Sequence, residues 1–183
     1  VTTGAITLSG GLYNGPVSLN QTGAVQTTGL GGATFNNTLL FVNSGTNHMR
    51  INGNCTFNGI TTFSNVGTGY FLPELASGNT YNSTLNLINN STSNLRMAYL
   101  GATTINGNLL VNNLGSGNVE FCEQATATCS LTAGNTIAVG SIGFNSGRLL
   151  LRRFTQLGST TQSIVTTGTS YISITNNCLF NGT

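Results

Sequence analysis

The feature that most restricts this chain is a triplet that returns at nearly fixed intervals: an aromatic or aliphatic residue, then Asn, then usually Gly. It stands as Leu12-Tyr13-Asn14-Gly15, Thr34-Phe35-Asn36-Asn37, Thr56-Phe57-Asn58-Gly59, Thr80-Tyr81-Asn82-Ser83, Thr104-Ile105-Asn106-Gly107 and Leu179-Phe180-Asn181-Gly182. From Tyr13 to Ile105 the steps are 22, 22, 24 and 24 residues. The remaining 75 residues to Phe180 fit three further turns of about 25 with a less regular sequence. After each triplet comes a short alternating segment, such as Leu39-Leu40-Phe41-Val42 or Leu85-Asn86-Leu87-Ile88. A polar break follows, such as Asn43-Ser44-Gly45-Thr46 or Asn65-Val66-Gly67-Thr68, and then a second segment, such as Leu95-Arg96-Met97 or Val119-Glu120-Phe121.

Units of this length cannot close a core alone, so they must stack. The apolar spacing is two rather than 3.6, and Gly, Asn and β-branched residues dominate, which removes helix. A Greek-key sandwich also has short strands at regular intervals, but it gives no reason for one triplet to return in phase. The expected fold is therefore all-β: a parallel β-solenoid (β-helix) with coils of about 22–25 residues. Some eight coils at about 4.8 Å each would make a rod about 38 Å long.

Stacking in register predicts two columns. Tyr13, Phe35, Phe57, Tyr81, Ile105 and Phe180 form a core column, each large side chain worth roughly 1.5–3 kcal/mol when buried. Asn14, Asn36, Asn58, Asn82, Asn106 and Asn181 form the ladder beside it. Asn tolerates the corner conformation, and its amide can pair from coil to coil. A third file, Arg50, Leu72, Arg96 and Glu120, reads as an outward, solvated stripe with an exposed Arg96–Glu120 pair worth at most about 1 kcal/mol.

Val1-Thr2-Thr3-Gly4 reappears as Val165-Thr166-Thr167-Gly168, and Leu12-Tyr13-Asn14-Gly15 as Leu179-Phe180-Asn181-Gly182. Residues 1–183 are thus expected to be a single solenoid segment: one super-repeat of about 165 residues plus the start of the next in a longer tandem array. Without polar caps, its open strand edges favour continuation or end-to-end stacking.

Composition decides against most chemistry. The only charged residues are five Arg and three Glu, with neither Lys nor Asp. A Ser-His-Asp triad, a P-loop lysine and Asp-based calcium repeats are therefore excluded. Glycoside hydrolysis needs two convergent carboxylates. Glu120 and Glu123 are an odd number apart and should face opposite sides of a strand, while Glu74 lies about two coils away. His48 beside Met49 and Arg50 reads as a surface residue. One His and four scattered Cys match no zinc spacing, so no catalytic, metal or cofactor site is expected. Cys122 and Cys129 are near enough in sequence for a local disulfide, the alternative being two small buried thiols. Arg148, Arg152 and Arg153 are the only basic cluster, too few for a nucleic-acid footprint, and no apolar run is long enough to span a membrane. Ice binding by a flat Thr array is a lesser alternative, since the sequence shows no recurring Thr-x-Thr file.

The repeated Thr-Phe-Asn-Gly triplet, with the stretch Gly143-Phe144-Asn145-Ser146-Gly147-Arg148-Leu149-Leu150-Leu151-Arg152-Arg153-Phe154-Thr155-Gln156-Leu157-Gly158, resembles the repeat regions of giant surface proteins of Bacteroidota bacteria, many of them exported by type IX secretion. The resemblance covers nearly the whole chain from Leu12. It implies an extracellular or cell-surface protein serving adhesion, gliding or capture, and brings no catalytic residues. The expected function is a structural segment of a fibre or surface adhesin, a stiff rod joined to neighbouring repeats and to copies of itself in a homo-oligomeric bundle. A carbohydrate-binding adhesin module, using exposed Tyr, Asn and Thr on one face against surface glycans, is the alternative.

Overall fold

The computed structural model describes residues 6 and 8–182. All regular structure in it is strand, wound as a parallel β-solenoid of about seven turns whose three sides are three parallel sheets. One side, here called face C, contains β1 (Leu12–Tyr13), β4 (Thr34–Phe35), β7 (Thr56–Phe57), β10 (Thr80–Tyr81), β13 (Ala102–Ile105), β16 (Thr128–Leu131), β19 (Phe154–Gln156) and β21 (Leu179–Phe180), neighbours in that order. Face A stacks β2 (Val17–Gln21), β5 (Leu39–Asn43), β8 (Thr61–Asn65), β11 (Leu85–Asn89), β14 (Leu109–Asn113) and β17 (Ile137–Phe144). Face B stacks β3 (Thr27–Gly31), β6 (Met49–Gly53), β9 (Phe71–Leu72), β12 (Leu95–Met97), β15 (Val119–Phe121), β18 (Arg148–Arg152) and β20 (Tyr171–Thr175). The Val1-Thr2-Thr3-Gly4 copy of the super-repeat lies outside the described residues.

Each coil visits C, A and B in turn. On face A the pattern Leu39, Phe41, Asn43 inward and Leu40, Val42 outward repeats without slippage, pairing Leu39 with Thr61, Phe41 with Phe63 and Asn43 with Asn65. Face B alternates likewise, with Met49, Phe71, Leu95, Val119 and Leu149 in one inward file. The rung spacing of about 4.8 Å makes the eight strands of face C about 34 Å deep.

The core column runs through face C. Tyr13 pairs with Phe35, Phe35 with Phe57, Phe57 with Tyr81 and Tyr81 with Ile105. The four aromatic rings stack with centroids 4.8, 5.3 and 4.9 Å apart and planes within 14° of parallel. The irregular stretch fills the missing places with Leu131 and Gln156 before Phe180. Neither carries the triplet, yet the ladder holds both in phase. Gln156 is buried, and its amide Nε2 donates to Thr160 O at the adjoining corner.

The turns after face A are tight because small residues stack there. Gly45 and Gly67 follow one another in this corner, and a Cβ on Gly67 would stand 2.0 Å from Gly45 O, inside its van der Waals radius. Glycine is required by close approach at that place, and φ is not the reason.

Truncating Phe57, 1% exposed between two parallel rings, leaves a cavity that neighbours pinned by the ladder cannot fill. Phe57→Ala is expected to cost about 3–5 kcal/mol in urea unfolding, against under about 1.5 kcal/mol for the volume-conserving swap Ile105→Leu.

Candidate functional site

The Asn ladder lies on the exposed edge of face C. The Nδ2 of Asn36 donates to Asn14 Oδ1 at 2.8 Å, Asn58 to Asn36 at 2.7 Å, Asn82 to Asn58 at 2.7 Å and Asn106 to Asn82 at 2.8 Å. After five residues the amide chain stops: Asn135 Nδ2 reaches Asn106 backbone O, and Asn181 Nδ2 bonds to Gln156 O. Asn181 therefore keeps the corner position but not an amide partner in the ladder.

A second amide column was hidden in what the sequence presents as polar breaks. Gln21, Asn43, Asn65, Asn89 and Asn113 point inward at the end of the face A strands and are fully buried. Asn43 Nδ2 donates to Asn65 Oδ1 at 3.0 Å and Asn65 Nδ2 to Asn89 Oδ1 at 3.4 Å. The same nitrogens also reach the corner carbonyls of Gly69 and Ser93. Gln21, Asn89 and Asn113 donate instead to the corner carbonyls of Asn47, Asn118 and Gly117, so every amide nitrogen of the column is satisfied. Alternation counted from Leu39 was the available signal, since it puts Asn43 on the core side.

Face C also carries an outward hydroxyl file. Thr34, Thr56, Thr80, Thr104, Ser130 and Thr155 occupy equivalent places in successive rungs, with Leu12 and Leu179 at the two edges of the sheet. The sequence reading finds no Thr-x-Thr file, and it does not pick out this single one. One file exists, and the residue two further on is Asn instead of a second Thr.

The Arg50, Leu72, Arg96 and Glu120 file stands in register on the outer side of face B, and it is less solvated than expected. Leu72 is 4% exposed and Glu120 7%, the latter enclosed by Arg96, Asn94 and Asn118. Arg96 sits 4.4 Å from the Tyr70 ring centroid. Its Nε lies 3.6 Å from Glu120 Oε2 and 3.2 Å from Glu123 Oε2. The two glutamates thus converge on one cation instead of facing opposite ways. Cys122, between them, has φ 55°, which breaks the strand alternation and returns Glu123 to the outer side. Asn94 and Asn118 add amide donors to Glu120 Oε1 at 2.9 and 3.0 Å.

His48 is half-buried on the same face, its ring tilted 31° against Tyr70 with centroids 4.8 Å apart, and its Nδ1 accepts the Tyr70 N–H at 3.1 Å. Burial, with the positive charges of Arg50 and Arg96, lowers its pKa and keeps the ring neutral. It serves as an acceptor between rungs.

The Cys122–Cys129 bridge is not formed, and all four cysteines are free thiols. Cys122 is held by its N–H to Met97 O, while Cys129 is fixed in the ladder between Thr103 and Phe154. Burial pushes the Cys122 thiol up to about 12 and Cys129 well above its usual value, so neither is a ready nucleophile.

Glu74 is sealed at the corner between faces B and C. Its Oε2 accepts the Ala98 N–H, and Asn79 and the Tyr81 hydroxyl lie beside it. Burial lifts its pKa from the usual 4.5 to about 7, against the opposite pull of the Thr103 hydroxyl, the Ala98 N–H and the Tyr81 hydroxyl. A shallow cavity of about 290 Å³ beside Phe180 and another of about 350 Å³ over Val17 and Leu40 are lined by no titratable side chain. Among the described residues no three His, Cys, Asp or Glu side chains are grouped to hold a metal ion.

No family model matches the chain, and neither a curated protein nor a solved structure matches it.

Glu74 has a raised folded pKa, so its contribution is complete below its unfolded value and is lost as pH rises through the folded one. Stability should fall by about 3 kcal/mol between pH 4.5 and 7 from this group. Urea titrations across that range should show the fall, and Glu74→Gln should flatten it.

Proposed function

We propose that this chain is a structural segment of a long extracellular or cell-surface fibre or adhesin, acting as a stiff rod that associates with neighbouring repeats and with copies of itself. The observation that carries the reading is the continuous parallel pairing of three sheets, in which each rung pairs with the rungs above and below. Bending such a rod opens backbone hydrogen bonds on one side, so stiffness and resistance to proteolysis follow from the ladder. All eight charged residues belong to face B strands or the corner that follows them, leaving faces A and C uncharged. Neutral, regular sides pack against copies without charge repulsion, which supports a homo-oligomeric bundle. The resemblance to Bacteroidota surface repeats supports export by the type IX route and a role in adhesion, gliding or capture. The reading contains no catalytic step: Glu120 and Glu123 share Arg96, and Glu74 is enclosed.

Negative-stain images and sedimentation over a concentration series test this reading. Straight rods that associate side by side or end to end and withstand thermolysin are the expected result. A protease-labile chain that stays monomeric at every concentration would overturn it.

The carbohydrate alternative needs Tyr, Asn and Thr together on one face. The structure separates them, with Tyr70 and Tyr171 on face B and the Asn and Thr files on face C. Ice binding has one observation in its favour, the Thr file beside the exposed Asn ladder, repeated at about 4.8 Å. Thermal hysteresis that disappears in Thr80→Tyr with unchanged circular dichroism is its expected signature, and no hysteresis in the parent chain removes it.

A further inference from the structure

We infer that face B is a binding surface for an acidic polysaccharide whose carboxylates are spaced along the chain, such as a polymer of alternating uronate and neutral sugars. This goes beyond the rod reading and does not depend on it.

The first observation is charge segregation. Arg50 in β6, Arg96 in β12, Arg148 and Arg152 in β18, and Arg153 just after it all lie on this one side. Only Glu120 and Glu123 oppose them there, and both are committed to Arg96. Five cations against two anions leave three unbalanced. Arg153 is not available, since its guanidinium donates to Ala127 O at 2.8 Å and to the carbonyls of Cys122 and Gln124. The cations open to a ligand are therefore Arg50, Arg148 and Arg152.

The second observation is independent of net charge. Arg50 Nε, Arg148 Nε and Arg152 Nη1 are buried nitrogens without a hydrogen-bond partner. These nitrogens are closed to solvent, so a ligand meets the other guanidinium N–H groups of the same side chains, and a carboxylate is the acceptor whose two oxygens suit them.

The third observation is spacing. Arg50 stands in the second coil and Arg148 and Arg152 in the sixth, so the open cations lie four rungs apart, about 19 Å along the axis. That interval is about the length of two disaccharides, so carboxylates on alternate sugars can meet both ends of the patch while a neutral stretch passes the paired Arg96. Tyr171, 53% exposed, lies 5.2 Å from Arg148 and offers a ring face beside the cation for a sugar to stack on. Nucleic acid fits less well. Duplex DNA carries a charge about every 1.7 Å, whereas this face offers three free cations over about 19 Å, with Glu120 and Glu123 in its middle.

Calorimetry of the unmodified chain with hyaluronate, uncharged dextran and oligo-dT at low salt gives the test. Binding to hyaluronate in preference to the other two, weakened by added salt, is expected. Arg50→Gln, Arg148→Gln and Arg152→Gln should each weaken it about tenfold, while Thr80→Ser on face C leaves it unchanged. No binding of the unmodified chain to hyaluronate, equal binding to dextran, or preference for oligo-dT would each overturn the inference. So would full retention of affinity in the triple arginine variant.

Discussion

The structure rests on one repeated interaction: the parallel backbone ladder that fixes each rung about 4.8 Å above the last. Once that spacing is set, every side chain meets the equivalent side chain of its neighbours. Apolar residues gain, because Phe35, Phe57 and Tyr81 become a continuous stack. Amides gain, because a donor and an acceptor on one group suit an endless chain. Charges lose, since two like charges at rung spacing repel by about 1 kcal/mol even in water. The near-absence of charge in this sequence is thus a consequence of stacking, as well as of its surroundings. Where arginines do occur they skip rungs: Leu72 separates Arg50 from Arg96, and Glu120 stands between Arg96 and Leu150.

The regular half of the molecule and the irregular half obey the same ladder with different fillings. In coils built on the triplet, the face A strands agree in length and their registers do not slip, whereas on face B β3 shifts against β6. Towards the later coils, face A reaches β17, where the register against β14 shifts between Val111 and Asn113. Asn112 is drawn into the protein there, donating to Asn86 Oδ1 at 2.9 Å and to Leu87 O at 3.2 Å. Beyond that strand face A continues only as a single bridge from Ala138 to Ser163, while faces B and C go on. A three-sided coil therefore survives local loss of one side when the other two keep pairing.

The fold was legible in the sequence because its unit repeats. Six occurrences of one triplet fixed the phase, and phase alone gives the direction of every side chain on a strand. The places where sequence reading failed are those where phase is not carried by the triplet. Leu131 and Gln156 occupy the core column without any Asn-Gly beside them. Asn43, Asn65, Asn89 and Asn113 look like loop residues by type and become core residues by position. Glu123 was misassigned because a positive φ at Cys122, invisible in sequence, reverses the alternation. The shielding of Glu120 needed the positions of Arg96, Asn94 and Asn118, which depend on rotamers rather than on spacing.

The two amide columns differ in more than depth. In the outer one each nitrogen donates backwards to the preceding coil, from Asn36 to Asn14 and on through Asn106 to Asn82. In the inner one the donation runs forwards, from Asn43 to Asn65 and from Asn65 to Asn89. Aligned amide dipoles add along a line as peptide dipoles do in a helix. The two lines run in opposite senses, so over the coils they share, from Asn43 to Asn89, they oppose one another and the asparagines there add little electrical polarity to the shaft.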